Sequence, residues 1–362
     1  MPELLKDRLN YETLREFALC IQSAYNSFQA DEFIKSTMDE TWDNLELKAR
    51  IRQISVNLRK YLPADYREAI SICDEAIKNC NEFYCFVFPD FVEVYGQGDA
   101  DWDLSIAALE RYTRYGSSEF AVRPFIINHQ ERMMAQMYAW SKHENEHVRR
   151  LASEGCRPQL PWGQALAKFK KDPAPVLPIL KQLKADPSTY VRKSVANNLN
   201  DISKTHPDLI AKLAKEWHGK NEHTDWIVKH GCRTLLKKGN RDVLALFGYD
   251  DAVFVDVNGF ALGAESVFLG DDITFSFSIG VKEPTKVRLE YGIDYVKAGG
   301  KRSRKIFQIS EVSLKENEKK LYTKKHSFAD VSVRKHYPGI HSVALIVNGV
   351  ERGKLDFELK PQ

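Results

Sequence analysis

Apolar positions along the chain follow two different periods. Up to about residue 246 they recur every three or four residues. In YETLREFALCIQSAYNSF, Leu14, Phe17, Ala18, Ile21 and Tyr25 form the stripe of an amphipathic helix, and most neighbouring segments read the same way. After FGYDD the period becomes two. Ile273, Phe275, Phe277 and Ile279 alternate with other residues, as do Val287, Leu289, Tyr291 and Ile293, and Asn348–Gly349 marks a turn between two further strands. The pattern predicts an α + β multidomain protein, with an all-α domain over 1–246 followed by an all-β sandwich of six or seven short strands over 250–362. That region contains neither Cys nor Trp, so an Ig-like topology is expected by analogy of fold, without a Cys…Trp…Cys core.

A weak internal echo runs through the helical half. EFAVRPFI, EHVRRLASEGC, TYVRKSVANNLND and DWIVKHGCRTLLKKG superpose on Val122, Val148, Val191 and Ile227, at spacings of 26, 43 and 36 residues. The last two spacings suit helix-pair repeats of the HEAT kind and the first does not. Stacked pairs form a solenoid whose equivalent helices line a concave surface. Arg149, Arg150, Arg192, Lys193 and Lys229 fall just after the repeated apolar position. They either face one groove together or decorate a convex outer face. In ADPSTYVRK, Asp186 or Ser188 is expected to cap a helix, with Pro187 in its first turn.

Composition adds a charge asymmetry. With 362 residues, 43% hydrophobic and 28% charged, the chain reads as globular and long enough for two domains. The net charge of +3 conceals −8 over residues 1–140, +9 over 141–240 and +2 over 241–362. A basic middle third suits a polyanion such as nucleic acid, although a solvated lysine-rich surface has the same composition. In VKAGGKRSRKIF, Lys301, Arg302, Arg304 and Lys305 follow a Gly299–Gly300 turn. They read equally as a finger for a phosphate backbone or minor groove and as the charges that blunt a sheet edge.

Several classes drop out. The N-terminus lacks a signal peptide and no apolar run approaches about 18 residues, so no membrane partner and a cytoplasmic location are expected. The six cysteines match no paired zinc spacing and read as reduced, mostly buried thiols, and HENEH at 143–147 reads as a polar loop. A glycine-rich phosphate loop is absent, so no metal and no cofactor are expected.

SSEFAVRPFI, ASEGCRPQLPW and STYVRKSVANNLNDISKTHPDL, on helical repeats followed by a sandwich, resemble the AlkC branch of the AlkC/AlkD family of bacterial DNA glycosylases over essentially the whole chain. The resemblance implies a monomeric, monofunctional glycosylase acting on double-stranded DNA with alkylated bases, chiefly 3-methyladenine and 3-methylcytosine. Such bases are cationic and leave without a general acid, so the needs are stabilisation of an oxocarbenium-like sugar and placement of water. It also implies a groove that bends DNA instead of a deep pocket for a flipped base.

Glu119, Glu154 and Asp201 are the carboxylates in the matching motifs. Glu119 is expected to open a helix and act as the principal catalytic group, with Asp201 and Glu154 assisting. Plain alternatives stand beside each role: a helix-dipole partner for Glu119, pairing of Glu154 with Arg150 or Arg157, and a cap or turn for Asp201. Arg157 precedes Pro158, so the helix should end there and Pro161 should hold Trp162 on a stiff connector. Trp162 then lies against the sugar or base with Arg157 on a flanking phosphate, or else it plugs a gap between helix pairs. Tyr190 and Trp226 are weaker candidates for the same wall. A non-catalytic helical-repeat module binding DNA or protein is the competing reading.

Overall fold

A computed structural model describes residues 4–249, 254–330 and 335–361. The chain forms two compact units, Met1–Thr205 with Gly219–Gly231 and His206–His218 with Cys232–Gln362. The expected domain start at residue 250 lies outside the described residues. The helices Pro207–Trp217, Arg233–Lys237 and Arg241–Leu246 belong to the same unit as the sandwich. No helix among the described residues is long and apolar enough to cross a membrane.

The first unit is built of amphipathic helices. Tyr11–Ala24 opens with a reciprocal cap: the Asn10 side chain accepts from the Thr13 amide at 3.1 Å and the Thr13 hydroxyl accepts from the Asn10 amide at 3.2 Å. It buries Leu14, Phe17, Ala18 and Ile21, while Tyr25 already lies at the extended C-cap. Val122, Val148, Val191 and Ile227 are all fully buried, so the internal echo marks core-facing positions. The helices Glu146–Gly155, Thr189–Ser203 and Glu222–Gly231 pack side by side. Glycine permits close approach at Gly155, where an added Cβ would lie 2.6 Å from Val122 Cγ2. Ser188 is the cap of Thr189–Ser203, so Pro187 precedes the cap and does not occupy the first turn.

Among the described residues the Ig-like sandwich has eight strands, not the six or seven expected: β1 Val255–Leu262, β2 Ser266–Phe268, β3 Asp272–Val281, β4 Thr285–Val296, β5 Arg302–Leu314, β6 Lys319–Ser327, β7 Gly339–Val347 and β8 Val350–Lys360. One sheet has the order β1-β3-β6 and the other β2-β8-β7-β4-β5. Phe275, Phe277, Leu289, Ile293, Leu345 and Phe357 fill the space between them. Asn348 and Gly349, at φ 46° and 76°, join β7 to β8 with Val347 opposite Val350, as the two-residue hairpin signal predicts. Strand β4 departs from simple alternation. Arg288, Glu290 and Asp294, on the face opposite the aliphatic stripe, are buried too. Ion pairs cover them: Arg288 with Glu290 at 2.6 Å and Glu311 at 2.5 Å, and Arg304 with Asp294 at 2.6 Å.

Candidate active site

Three segments of the first unit converge: the turn before helix Val122–Asn128, the last turn of Glu146–Gly155 with the loop that follows, and the C-terminal half of Thr189–Ser203. Their register is set by small polar contacts in the interior. Ser153 and Ser194 share a hydroxyl hydrogen bond of 2.6 Å, and the Asn198 side-chain amide donates to the Ser153 carbonyl at 2.8 Å. Locked in this way, the helix carrying Asp201 presents that carboxylate to Arg157.

An alternating chain of charge results. Lys204 Nζ lies 2.8 Å from Asp201 Oδ1, and Arg157 Nε donates to Asp201 Oδ2 at 2.8 Å. Arg157 Nη1 donates to Glu154 Oε1 at 2.6 Å, and Arg150 Nη2 approaches the same oxygen at 3.5 Å. Arg150 also pairs with Glu119, whose Oε2 accepts from the Ser117 hydroxyl at 2.9 Å. Among the carboxylates, side-chain exposure rises from 2% at Asp201 through 6% at Glu154 to 14% at Glu119, while Lys204 at the other end of the chain is 39% exposed. Burial works against the Arg157 charge, but Glu154 and Asp201 outweigh it and hold the guanidinium pKa above its usual value. Buried alternating pairs contribute little net stability, yet removing one member leaves a naked charge.

Glu119 does not lie in a helical first turn. It belongs to the turn that precedes helix Val122–Asn128, and its partner is Arg150. Arg157 is buried between two carboxylates instead of reaching outward as a phosphate grip. Trp162 stands 70% exposed with left-handed backbone, φ 62°, and does not plug a gap between helices. Tyr190 faces the Arg150 guanidinium at 5.0 Å, and Trp226 stacks on His230 at 5.1 Å.

The basic positions of the repeat divide by one residue. Arg149 donates to the carbonyls of His143 and Glu144 and pairs with Asp186 at 2.7 Å. Arg192 donates to the carbonyls of Asp186 and Pro187, at the same sequence offsets. Both arginines therefore tie down the loop that enters their own helix. One position later, Arg150 joins the charge chain, Lys193 is exposed and Lys229 is half-buried.

In the sandwich, Arg302, Arg304 and Lys305 lie on β5, an edge strand. Arg304 is held by Asp294 and Glu351, Arg302 donates to Ser342 and Lys305 rests over the Phe307 ring. Lys301, in the turn beside Gly300 at φ 74°, is exposed. Lys204, Ser117, Ser153, Ser194 and Asn198 escaped the sequence reading. Only Lys204 carried a local signal, three residues after Asp201 on one helix face.

Helical repeats that carry a chain of paired carboxylates and arginines, followed by an Ig-like sandwich, define the class of protein. A model of the DNA alkylation repair enzyme family matches residues 34–235, and one for the C-terminal Ig-like domain of uncharacterised protein YhaZ matches residues 256–361. The chain belongs to the DNA alkylation repair enzyme family. It is 48% identical over 355 residues to uncharacterized protein YhaZ of Bacillus subtilis (strain 168), covering 98% of this chain and 99% of that one. Among solved structures, it is similar to Pseudomonas fluorescens alkylpurine DNA glycosylase AlkC bound to DNA containing an abasic site analog. That similarity has a TM-score of 0.95 at 38% identity, over 99% of this chain and 100% of the other.

Proposed function

We propose that the protein is a monofunctional DNA glycosylase that hydrolyses the N-glycosidic bond of cationic alkylated bases, 3-methyladenine and 3-methylcytosine, in duplex DNA. The carrying observation is the chain of Asp201, Glu154 and Glu119 that opens to solvent in the same unit as an exposed Trp162. The solved neighbour, an alkylpurine glycosylase bound to DNA with an abasic site analog, supports the same reading, since an abasic site is what base release leaves.

Alkylation makes the base its own leaving group. When the glycosidic bond breaks, its electron pair neutralises the charged base, so no acid has to protonate it. The positive charge passes to the sugar, where a preorganised carboxylate is worth far more than in water. Glu119 takes that role as the most open of the three, oriented by Ser117 and Arg150. Asp201 and Glu154 hold Arg157 and Arg150 and add negative potential behind it. Water then adds to the sugar carbon and loses a proton. Trp162 offers an aromatic face that favours a nearby cation. Lys193, Lys229 and Lys301 supply phosphate contacts, whereas Arg149, Arg192, Arg302 and Arg304 serve the fold.

The test is release of free base from duplex DNA carrying 3-methyladenine or 3-methylcytosine, without added metal or cofactor. Release by the wild type and its loss in Glu119→Gln with binding retained is the expected result. Tight DNA binding with no release from either substrate would instead establish a non-catalytic DNA-binding module.

A further inference from the structure

The loop carrying Trp162 holds a conformation that its own residues do not favour. A bulky residue at φ 62° sits in the region that glycine tolerates and tryptophan resists. Inside the loop the restraints are few: the Gly163 amide donates to the Leu160 carbonyl at 3.1 Å and the Leu166 amide to the Pro158 carbonyl at 3.2 Å. The remaining restraints come from elsewhere in the first unit. Lys48, on helix Leu47–Tyr61, donates to the Trp162 carbonyl at 2.9 Å. Arg123 donates to the Gly155 carbonyl at 2.8 Å and to the Gln164 carbonyl at 2.5 Å, bracketing the loop.

Both cations also feel nearby carboxylates, Lys48 those of Asp90 and Glu93 and Arg123 those of Glu119 and Asp201, but neither sits at a site that favours a cation by its local backbone or burial. Lys48 occupies the first turn of its helix, where a positive charge opposes the macrodipole. Arg123 is 1% exposed, Nη2 is buried without a hydrogen-bond partner, and burial pulls its pKa down to about 10. An apolar residue would be cheaper at that site unless the two carbonyls require the guanidinium fork. The Lys48 ammonium also lies 4.3 Å from the centre of the Phe120 ring, next to Glu119. One side chain thus touches both the segment that carries Glu119 and the residue that carries the exposed indole.

We propose that Lys48 and Arg123 are positioning residues that clamp the Trp162 loop and present the indole at a fixed place relative to Glu119. The assignment of a reaction to that place rests on the glycosylase reading; the clamp itself does not. The experiment uses the full chain labelled with 5-fluorotryptophan, with the Trp162 resonance identified by its loss in Trp162→Phe. In Lys48→Met the Trp162 resonance is expected to shift or broaden while the other tryptophans stay in place and the melting temperature changes by less than about 2 °C. Single-turnover base release should fall about tenfold with DNA affinity within about twofold, and Lys48→Arg should recover most of it. In a Trp162→Ala background, Lys48→Met should cost no more than about twofold further, because the residue it positions is gone. Arg123→Lys, which keeps the charge and loses the fork, should broaden the same resonance.

An unmoved Trp162 resonance in Lys48→Met, or a full tenfold loss on top of Trp162→Ala, overturns the clamp. A Trp162 resonance that moves in Lys48→Met, when the wild type itself releases no base from either substrate, supports the clamp and overturns the glycosylase reading instead.

Discussion

The helical unit and the sandwich are both dense in charge and use it in opposite ways. In the sandwich the pairs close on themselves. Arg288 sits between Glu290 and Glu311, and Asp294 receives both Arg304 and Lys354, so the charges of β4 are paired within the sheet, with Arg288 Nε and Glu290 Oε2 left buried without a hydrogen bond. In the helical unit the pairs run on as one chain, from Asp201 through Arg157, Glu154 and Arg150 to Glu119, the most exposed of its three carboxylates at 14%. A closed set holds a fold together.

The comparison breaks first at Arg157. Arg157→Met removes the guanidinium that Glu154 and Asp201 share and leaves only Arg150 and Lys204 at their outer sides, so the helical unit should lose about 3–5 kcal/mol of unfolding free energy in urea. A loss under 1 kcal/mol would mean that the network is looser than its distances indicate.

Glu119→Gln should leave stability nearly unchanged and lower single-turnover base release about 100-fold or more, with DNA affinity within about threefold. Equal loss in binding and rate would place Glu119 among the structural groups, like its counterparts in the sandwich.

A smaller contrast separates adjacent positions of the repeat. Arg192→Ala should cost about 1 kcal/mol of stability through lost loop anchoring and leave the salt dependence of DNA binding unchanged. Lys193→Ala should do the reverse, weakening DNA binding a few-fold and reducing the salt slope by about one unit.

The smallest effect belongs to Arg304→Met, which should leave DNA affinity at neutral pH within about twofold. Its signature is in acid. Hydrogen bonding and charge from Arg304, with help from Lys354, hold the Asp294 carboxyl down at about 2. A depressed folded pKa contributes stability that is present above the ordinary carboxylate range and lost as pH falls from about 4 to about 2. In the variant that slope should flatten in thermal melts of the full chain, and an unchanged slope would assign the effect to Lys354.

Much of this architecture was legible along the chain. The stripe of Leu14, Phe17, Ala18 and Ile21, the buried repeat positions and the Asn348–Gly349 turn all follow from the spacing of residues a few places apart. The carboxylates were legible only through family motifs, and their partners less so. Arg157 read as a phosphate contact because a sequence does not reveal that Asp201, across 44 residues, meets its guanidinium in the interior. The edge strand β5 shows the same limit, since its arginines are paired across the sheet and their number said nothing of their availability.

By itself, then, the sequence determined the elements and the faces they bury, because period and turn chemistry act over distances shorter than one helix. Only the tertiary structure decided which charges meet. Lys48 reaches Trp162 from 114 residues away, and whether two such groups fall within hydrogen-bond distance depends on the packing register of helices that buried glycines and serines set.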